Sequence, residues 1–102
     1  MTKSQIVRII AEGTGLTRME TQAVIDGFLA TVNYALYRRE RVDLRGFGVL
    51  KVVKRKSRIA RKPSTGELVH VPEHLTVAFR PSQDLKKFVN RDDESDPKIP
   101  KE

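Results

Sequence analysis

Residues 41–66 read RVDLRGFGVLKVVKRKSRIARKPSTG, and this stretch decides the fold. Val42 and Leu44 alternate with Asp43 and Arg45, a period of two that marks a strand with one apolar side. Gly46-Phe47-Gly48 makes a tight connection, with Phe47 pinned between two residues that permit unusual backbone angles. A second strand begins at Val49, carries Leu50 and Val52 on one face, and runs without a break into a basic segment. Pro63-Ser64-Thr65-Gly66 has the composition of a hairpin turn, and Val69-His70-Val71 reads as the returning strand. Leu75, Val77 and Phe79 mark a third core strand by the same alternation. The excursion over about residues 54–72 has Ile59, Leu68, Val69 and Val71 as its large apolar side chains, too few to build a core. A ribbon without a face to bury is predicted to project as a mobile arm. Two-stranded ribbons are marginal in water, so the arm needs a partner to order it.

Before this β-rich part the period is helical. Thr2-Lys3-Ser4-Gln5 fits a capping box, with Met1 and Ile6 at the staple positions, and Gly13 and Gly15 are expected to end the helix. Thr17-Arg18-Met19-Glu20 repeats the box and opens a longer helix to about Arg38. On it Val24, Ile25, Phe28, Leu29, Val32, Ala35 and Leu36 fall within an arc of about 140°. One short neighbouring helix does not cover a face that broad. At the other end Pro81-Ser82 leads into a final short helix over residues 83–90, with Ser82 as its N-cap.

The size of the chain sharpens this point. It has 102 residues, enough for one domain, and 38% of them are hydrophobic. Without the arm and the last 12 residues, about 70 remain to form a core, a size that rarely stands alone. An overwide helix face on so small a core argues for a homodimer in which each subunit completes the other. Such a dimer carries two arms, a clamp in place of a single hairpin. The longest apolar runs are only a few residues, too short for a membrane span. No secretory leader is read either: Arg8 splits the run Ile6, Val7, Ile9, Ile10, Ala11, and Glu12 closes it, so a cytoplasmic location is expected. Cysteine is absent, which excludes disulfides, thiolate-bound metal and a Cys nucleophile.

Charge points to the partner. Residues 91–102 hold three basic and five acidic side chains, whereas residues 1–90 hold 17 Lys+Arg and 8 Asp+Glu. Within residues 51–62 there are seven cations (Lys51, Lys54, Arg55, Lys56, Arg58, Arg61, Lys62) and no acid, a pattern suited to a polyanion. Residues 91–102 read as a disordered tail, or alternatively as an acidic competitor for the basic arms. For catalysis there is little. His70, Glu73 and His74 are the one set with metal or acid–base character, but no second carboxylate lies near and the segment reads as the arm base. The sequence shows no phosphate-cradling glycine loop and no nucleophile motif, so neither catalysis nor a cofactor or metal is expected. Pro63, taken by itself, is a residue that shapes the turn before Ser64-Thr65-Gly66.

Three segments together resemble the bacterial DNA-bending proteins HU and integration host factor, over residues 1 to about 90. Leu44-Arg45-Gly46-Phe47-Gly48 is similar to that family's strand–turn signature. Arg61-Lys62-Pro63-Ser64-Thr65-Gly66-Glu67 resembles its arm-tip pattern Arg-Asn-Pro-x-Thr-Gly-Glu, and Phe79-Arg80-Pro81-Ser82-Gln83-Asp84-Leu85-Lys86 its entry to the last helix. Ala60 and Lys62 stand where the family usually has Gly and Asn, and Ser82 where Gly is common. The resemblance implies an α+β intertwined homodimer, a helical base under a β-saddle from which two β-hairpin arms enter the minor groove of double-stranded DNA. It implies that Pro63 wedges between base pairs, being apolar, rigid and without an N–H.

Arg55, Arg58 and Arg61, three residues apart along the outgoing arm strand, suit the electronegative minor groove, whose degenerate code allows little base specificity. Lys3, Ser4 and Ser82 stand at helix starts, where backbone N–H groups and ordinary capping are both served. Gly46 and Lys62 complete the expected contact set, with Arg45, Arg80 and Lys86 as flanking phosphate contacts. The expected dimer core is Leu29, Val32, Leu36, Leu44, Phe47, Leu50 and Phe79. The function implied is nucleoid organisation by binding and bending duplex DNA. A basic RNA-binding or ribosome-associated accessory protein is the alternative, and a heterodimer with a paralogue stays open. RNA-reading sheets expose stacking aromatics, whereas Phe28, Phe47, Phe79 and Phe88 sit at apolar-periodic or turn positions.

Overall fold

The computed structural model describes residues 1–91; the acidic segment 92–102, with its expected disorder and its alternative role as a competitor for the arms, lies outside the described residues. The chain divides into two compact units, Met1–Tyr34 and Ala35–Asn90.

The first unit is helical. Helix α1 (Lys3–Thr14) opens with the expected capping box: the Thr2 hydroxyl accepts from the Gln5 N–H at 3.2 Å, and the Gln5 side chain accepts from the Thr2 N–H at 2.7 Å. Two orphan donors are thereby satisfied. Of the two expected stop glycines only Gly15 ends the helix, in the left-handed conformation at φ 80°, while Gly13 lies inside it. Helix α2 (Arg18–Tyr37) starts behind a second box, in which Thr17 and Glu20 exchange hydrogen bonds of 3.0 Å. The Thr17 N–H, joined by its hydroxyl, favours the ionised Glu20 carboxyl and holds it below the usual carboxylate range.

Three side chains here are buried: Val7, Ala11, and Thr21, whose hydroxyl donates to the Thr17 carbonyl at 2.9 Å. The broad apolar stripe of α2 is only partly covered: Ile25, Val32, Ala35 and Leu36 are half-buried. Val24, Phe28 and Leu29 keep 66%, 48% and 43% of their surface exposed.

In the second unit the end of α2 is closed by paired bonds, Glu40 N–H to the Ala35 carbonyl (2.8 Å) and Arg39 N–H to the Leu36 carbonyl (3.0 Å). This Schellman closure puts Arg39 at φ 63°, where glycine is the usual residue. Strands β1 (Val42–Leu44), β2 (Gly48–Arg55) and β5 (His74–Pro81) form an antiparallel sheet in the order β1-β2-β5. Strands β3 (Arg58–Arg61) and β4 (Leu68–Val71) form a separate two-stranded ribbon, and helix α3 (Gln83–Val89) follows β5.

The two sheets share one register. β2 and β5 pair from Gly48↔Pro81 to Arg55↔His74, and β3 and β4 from Arg58↔Val71 to Arg61↔Leu68. Counting forward along β2 and back along β5 carries the first set into the second without an inserted residue. The ladder is interrupted only where Lys56-Ser57 would face Pro72-Glu73, and Pro72 has no N–H to offer there. The arm is thus an extension of the β2–β5 hairpin.

Alternation sorts the residues of the three-stranded sheet into two faces. Val42, Leu44, Leu50, Val52, Leu75, Val77 and Phe79 share one, and Asp43, Lys51, Val53, Arg55, His74, Thr76, Ala78 and Arg80 share the other. On the apolar face Phe79 remains 42% exposed and Val77 51%.

The Gly46-Phe47-Gly48 connection joins β1 and β2 for two different reasons. Gly46 takes φ +86° with open space around it, so the requirement is conformational. Gly48 is buried, and a Cβ there would lie 2.5 Å from the Phe79 ring and 2.6 Å from the Arg80 carbonyl oxygen. Phe47 and Phe79 meet above it with ring centroids 5.3 Å apart and planes tilted by 42°. Gly46→Ala is expected to cost about 1 kcal/mol, through the left-handed backbone alone. Gly48→Ala is expected to cost about 2–3 kcal/mol, because ring and backbone must both give way. Urea unfolding at fixed protein concentration checks the pair; equal losses would contradict the packing account.

Candidate nucleic-acid interface

The arm brings its chemistry to an exposed tip. The Lys62 N–H donates to the Glu67 carbonyl and the Gly66 N–H to the Lys62 carbonyl, each at 2.8 Å, closing a loop with Pro63 at its start. Gly66 permits the return at φ 76°, and the Glu67 N–H donates to the Thr65 hydroxyl at 3.3 Å. Arg61 donates from Nη1 to the Gly66 carbonyl at 3.0 Å, so this side chain braces the loop as well as carrying charge. Pro63 itself is exposed.

The cations expected at the interface are placed as follows. Arg58 faces across to Val71 and Arg61 to Leu68, an odd spacing that puts the two guanidiniums on opposite faces of the ribbon. Arg55 belongs to β2 and shares the polar sheet face with Lys51 and Arg80. Arg45 is exposed at the β1–β2 connection beside Gly46, and Lys86 is exposed on α3. The side chains of Arg45, Arg55, Arg58, Lys62, Arg80 and Lys86 form no hydrogen bond or ion pair with the described residues. Lys3 is different. It is bound to Asp26 at 2.8 Å, half-exposed at both ends, at an open cleft between α1 and α2 that Ser4, Arg8 and Arg18 also line.

Ser82 caps α3 as expected and also has partners in the β1–β2 connection that sequence reasoning missed. Its hydroxyl accepts from the Leu85 N–H at 3.0 Å as the α3 cap and donates to the Gly46 carbonyl at 2.9 Å; its own N–H donates to the Phe47 carbonyl at 2.9 Å. The entry to α3 is therefore tied to the β1–β2 connection, which sets Arg45 and Lys86 on one framework. No sequence signal marks a contact across 36 positions. The Asp26 partner of Lys3 is likewise visible only in the structure. Two residues of the weak metal set are engaged elsewhere: Glu73 pairs with Lys54 at 3.2 Å, and His74 Nδ1 lies 2.9 Å from the Pro72 carbonyl.

A family model described as Bacterial DNA-binding protein matches residues 1–90. The chain belongs to the bacterial DNA-binding protein family. Among relatives in this family, DNA-binding protein HU of Treponema pallidum (strain Nichols) is 40% identical over 88 residues, covering 86% of this chain and 84% of that one. Integration host factor subunit alpha of Anaeromyxobacter sp. (strain Fw109-5) is 33% identical over 99 residues, covering 97% of this chain and 100% of that one. A cocrystal structure of Anabaena HU with DNA superposes with a TM-score of 0.78 at 30% identity, covering 88% of this chain and 98% of that one. The α+β fold with three helices and antiparallel strands is thus the family's.

The arm cations predict a salt response. With a duplex DNA probe, log K is expected to fall against log[salt] with a slope of about −0.9 per phosphate contact. Arg58→Ala together with Arg61→Ala should weaken binding on every duplex and flatten that slope. An unchanged slope would remove the arms from the interface.

Proposed function

We propose that this chain is a non-enzymatic architectural protein that works as a homodimer, binding double-stranded DNA and bending it through two minor-groove arms. The observation that carries the reading is the exposed Pro63 at the tip of a ribbon in register with the central sheet, flanked by Arg58, Arg61 and Lys62. An apolar ring without an N–H can replace stacking at an opened base step, while arginines follow the electronegative groove floor. Because the minor-groove code is degenerate, base specificity is low. Lys3, Arg45, Gly46, Arg55, Arg80, Ser82 and Lys86 support the flanking duplex in this reading. Residues 1–90 form the DNA-binding domain in this reading. Such a protein acts on the bacterial nucleoid and so in the cytoplasm; among the described residues no helix is long and apolar enough to cross a membrane.

Exposure supports the dimer. Phe28, Leu29, Phe47, Val77 and Phe79 remain open in one chain, and a second copy covering them brings two arms to one duplex. The RNA alternative finds no support: the matching family is DNA-binding, and the polar sheet face carries no Phe or Tyr on which a base would stack. Mixing with a co-purified paralogue and finding no exchanged chain would exclude the heterodimer.

The wedge is tested by Pro63→Ala. Each dimer opens two base steps, at a few kcal/mol each, which the wrapped flanks repay. The variant keeps Arg55, Arg58, Arg61 and Lys62, so affinity for linear DNA is expected to change modestly while the bend angle drops. On nicked or pre-bent DNA the deficit is expected to shrink. Fluorescence transfer between duplex ends at saturating protein reads the angle. An unchanged angle, with all substrates weakened alike, would reduce Pro63 to a turn residue.

A further inference from the structure

His74 stands outside every role given so far, yet it sits where the arm leaves the sheet. It faces Arg55 across the β2–β5 ladder, on the polar face. Beside the interruption at Lys56-Ser57 and Pro72-Glu73 lies an open cleft lined by Arg55, Lys56, Ser57, Arg58, His74, Thr76 and Val77. Three cations and two hydroxyls make a lining suited to an anion. The ring is also oriented: Nδ1 lies 2.9 Å from the Pro72 carbonyl, which can only accept, so Nδ1 carries the proton. That leaves Nε2 as the ring atom available to a ligand. In the neutral ring it is an acceptor and repels a phosphate oxygen; in the imidazolium it is an N–H donor bearing charge.

Resting on the DNA-binding reading above, we infer that a backbone phosphate occupies this arm-base cleft and that His74 binds it only in the protonated form. The surrounding charges decide the direction. Arg55 lies opposite His74 across the ladder, and Lys56 and Arg58 also line the cleft. The nearest carboxylate, Glu73, alternates to the opposite face and is paired with Lys54 at 3.2 Å. A phosphate entering the cleft brings a negative charge beside the ring, which favours the imidazolium. The proton is then held more tightly in the complex than in the free protein, so affinity rises as pH falls through the imidazole range.

The experiment is DNA binding by the full chain at constant ionic strength, at about pH 8 and about pH 6, the interval in which an imidazole gains its proton. Wild type is expected to bind several-fold, up to about tenfold, more tightly at the lower pH, in keeping with a charge-assisted hydrogen bond. His74→Ala is expected to lose that gain. His74→Lys, permanently charged, is expected to bind at pH 8 as wild type does at pH 6. His70→Gln removes the other imidazole of the arm, opposite Ile59, and is expected to keep the pH dependence. A gain that persists in His74→Ala, or one lost in His70→Gln, overturns the assignment. Wild type that binds equally well at both pH values overturns this inference alone, whereas no binding at either pH overturns the function with it.

Discussion

Among the described residues Val7, Ala11 and Thr21 are the side chains that one copy buries, and this shortage of self-made interior constrains the rest of the molecule. Full burial of a large aliphatic side chain stabilises by about 1.5–3 kcal/mol. Ordering each backbone residue costs about 1–2 kcal/mol. The half-buried positions added to Val7 and Ala11 do not offset ordering over some 90 described residues. Meanwhile Phe28 and Leu29 on α2, and Val77 and Phe79 on the sheet, present apolar surface to solvent. In the proposed homodimer a second copy supplies the missing cover, and with it the interior from which a ribbon that buries nothing can extend.

The ribbon can afford its lack of a core because it is not independent. One register runs from Gly48↔Pro81 to Arg61↔Leu68, so the sheet aligns the arm strands before any partner binds. The interruption at Pro72 localises the break in that ladder to two positions per strand. Beyond it, unpaired cations and an apolar tip have in common that they are better satisfied against a polyanion with stacked bases than in water. The same fold that leaves Arg58 and Lys62 unpaired uses Arg61 to hold the tip through Gly66, so charge and shape at the tip are coupled.

Much of this was legible in the sequence. The capping boxes at Thr2 and Thr17 were local patterns and formed as read. Period-two alternation located β1, β2 and β5, and the amphipathic arc of α2 announced a face too wide for one chain. What was not legible was everything set by distance. Gly13 carries the same residue type as Gly15, but only the latter meets the end of the hydrogen-bond ladder. Ser82 was readable as a cap but not as a link to Gly46, and Lys3 was readable as a cation but not as one held by Asp26. The arginines of the arm were found as a series, while the register decided that Arg58 and Arg61 lie on opposite faces.

The central claim, that two copies share one folded interior, is tested most directly by the concentration dependence of thermal unfolding, with mass checked by sedimentation equilibrium. When folding and association are one transition, a hundredfold rise in protein concentration adds about 2.7 kcal/mol by mass action. For a dimer of this size that is expected to raise Tm by about 5–10 °C, with the mass of two chains wherever the protein is folded. A Tm independent of concentration, together with a folded species of one chain's mass, would contradict the account.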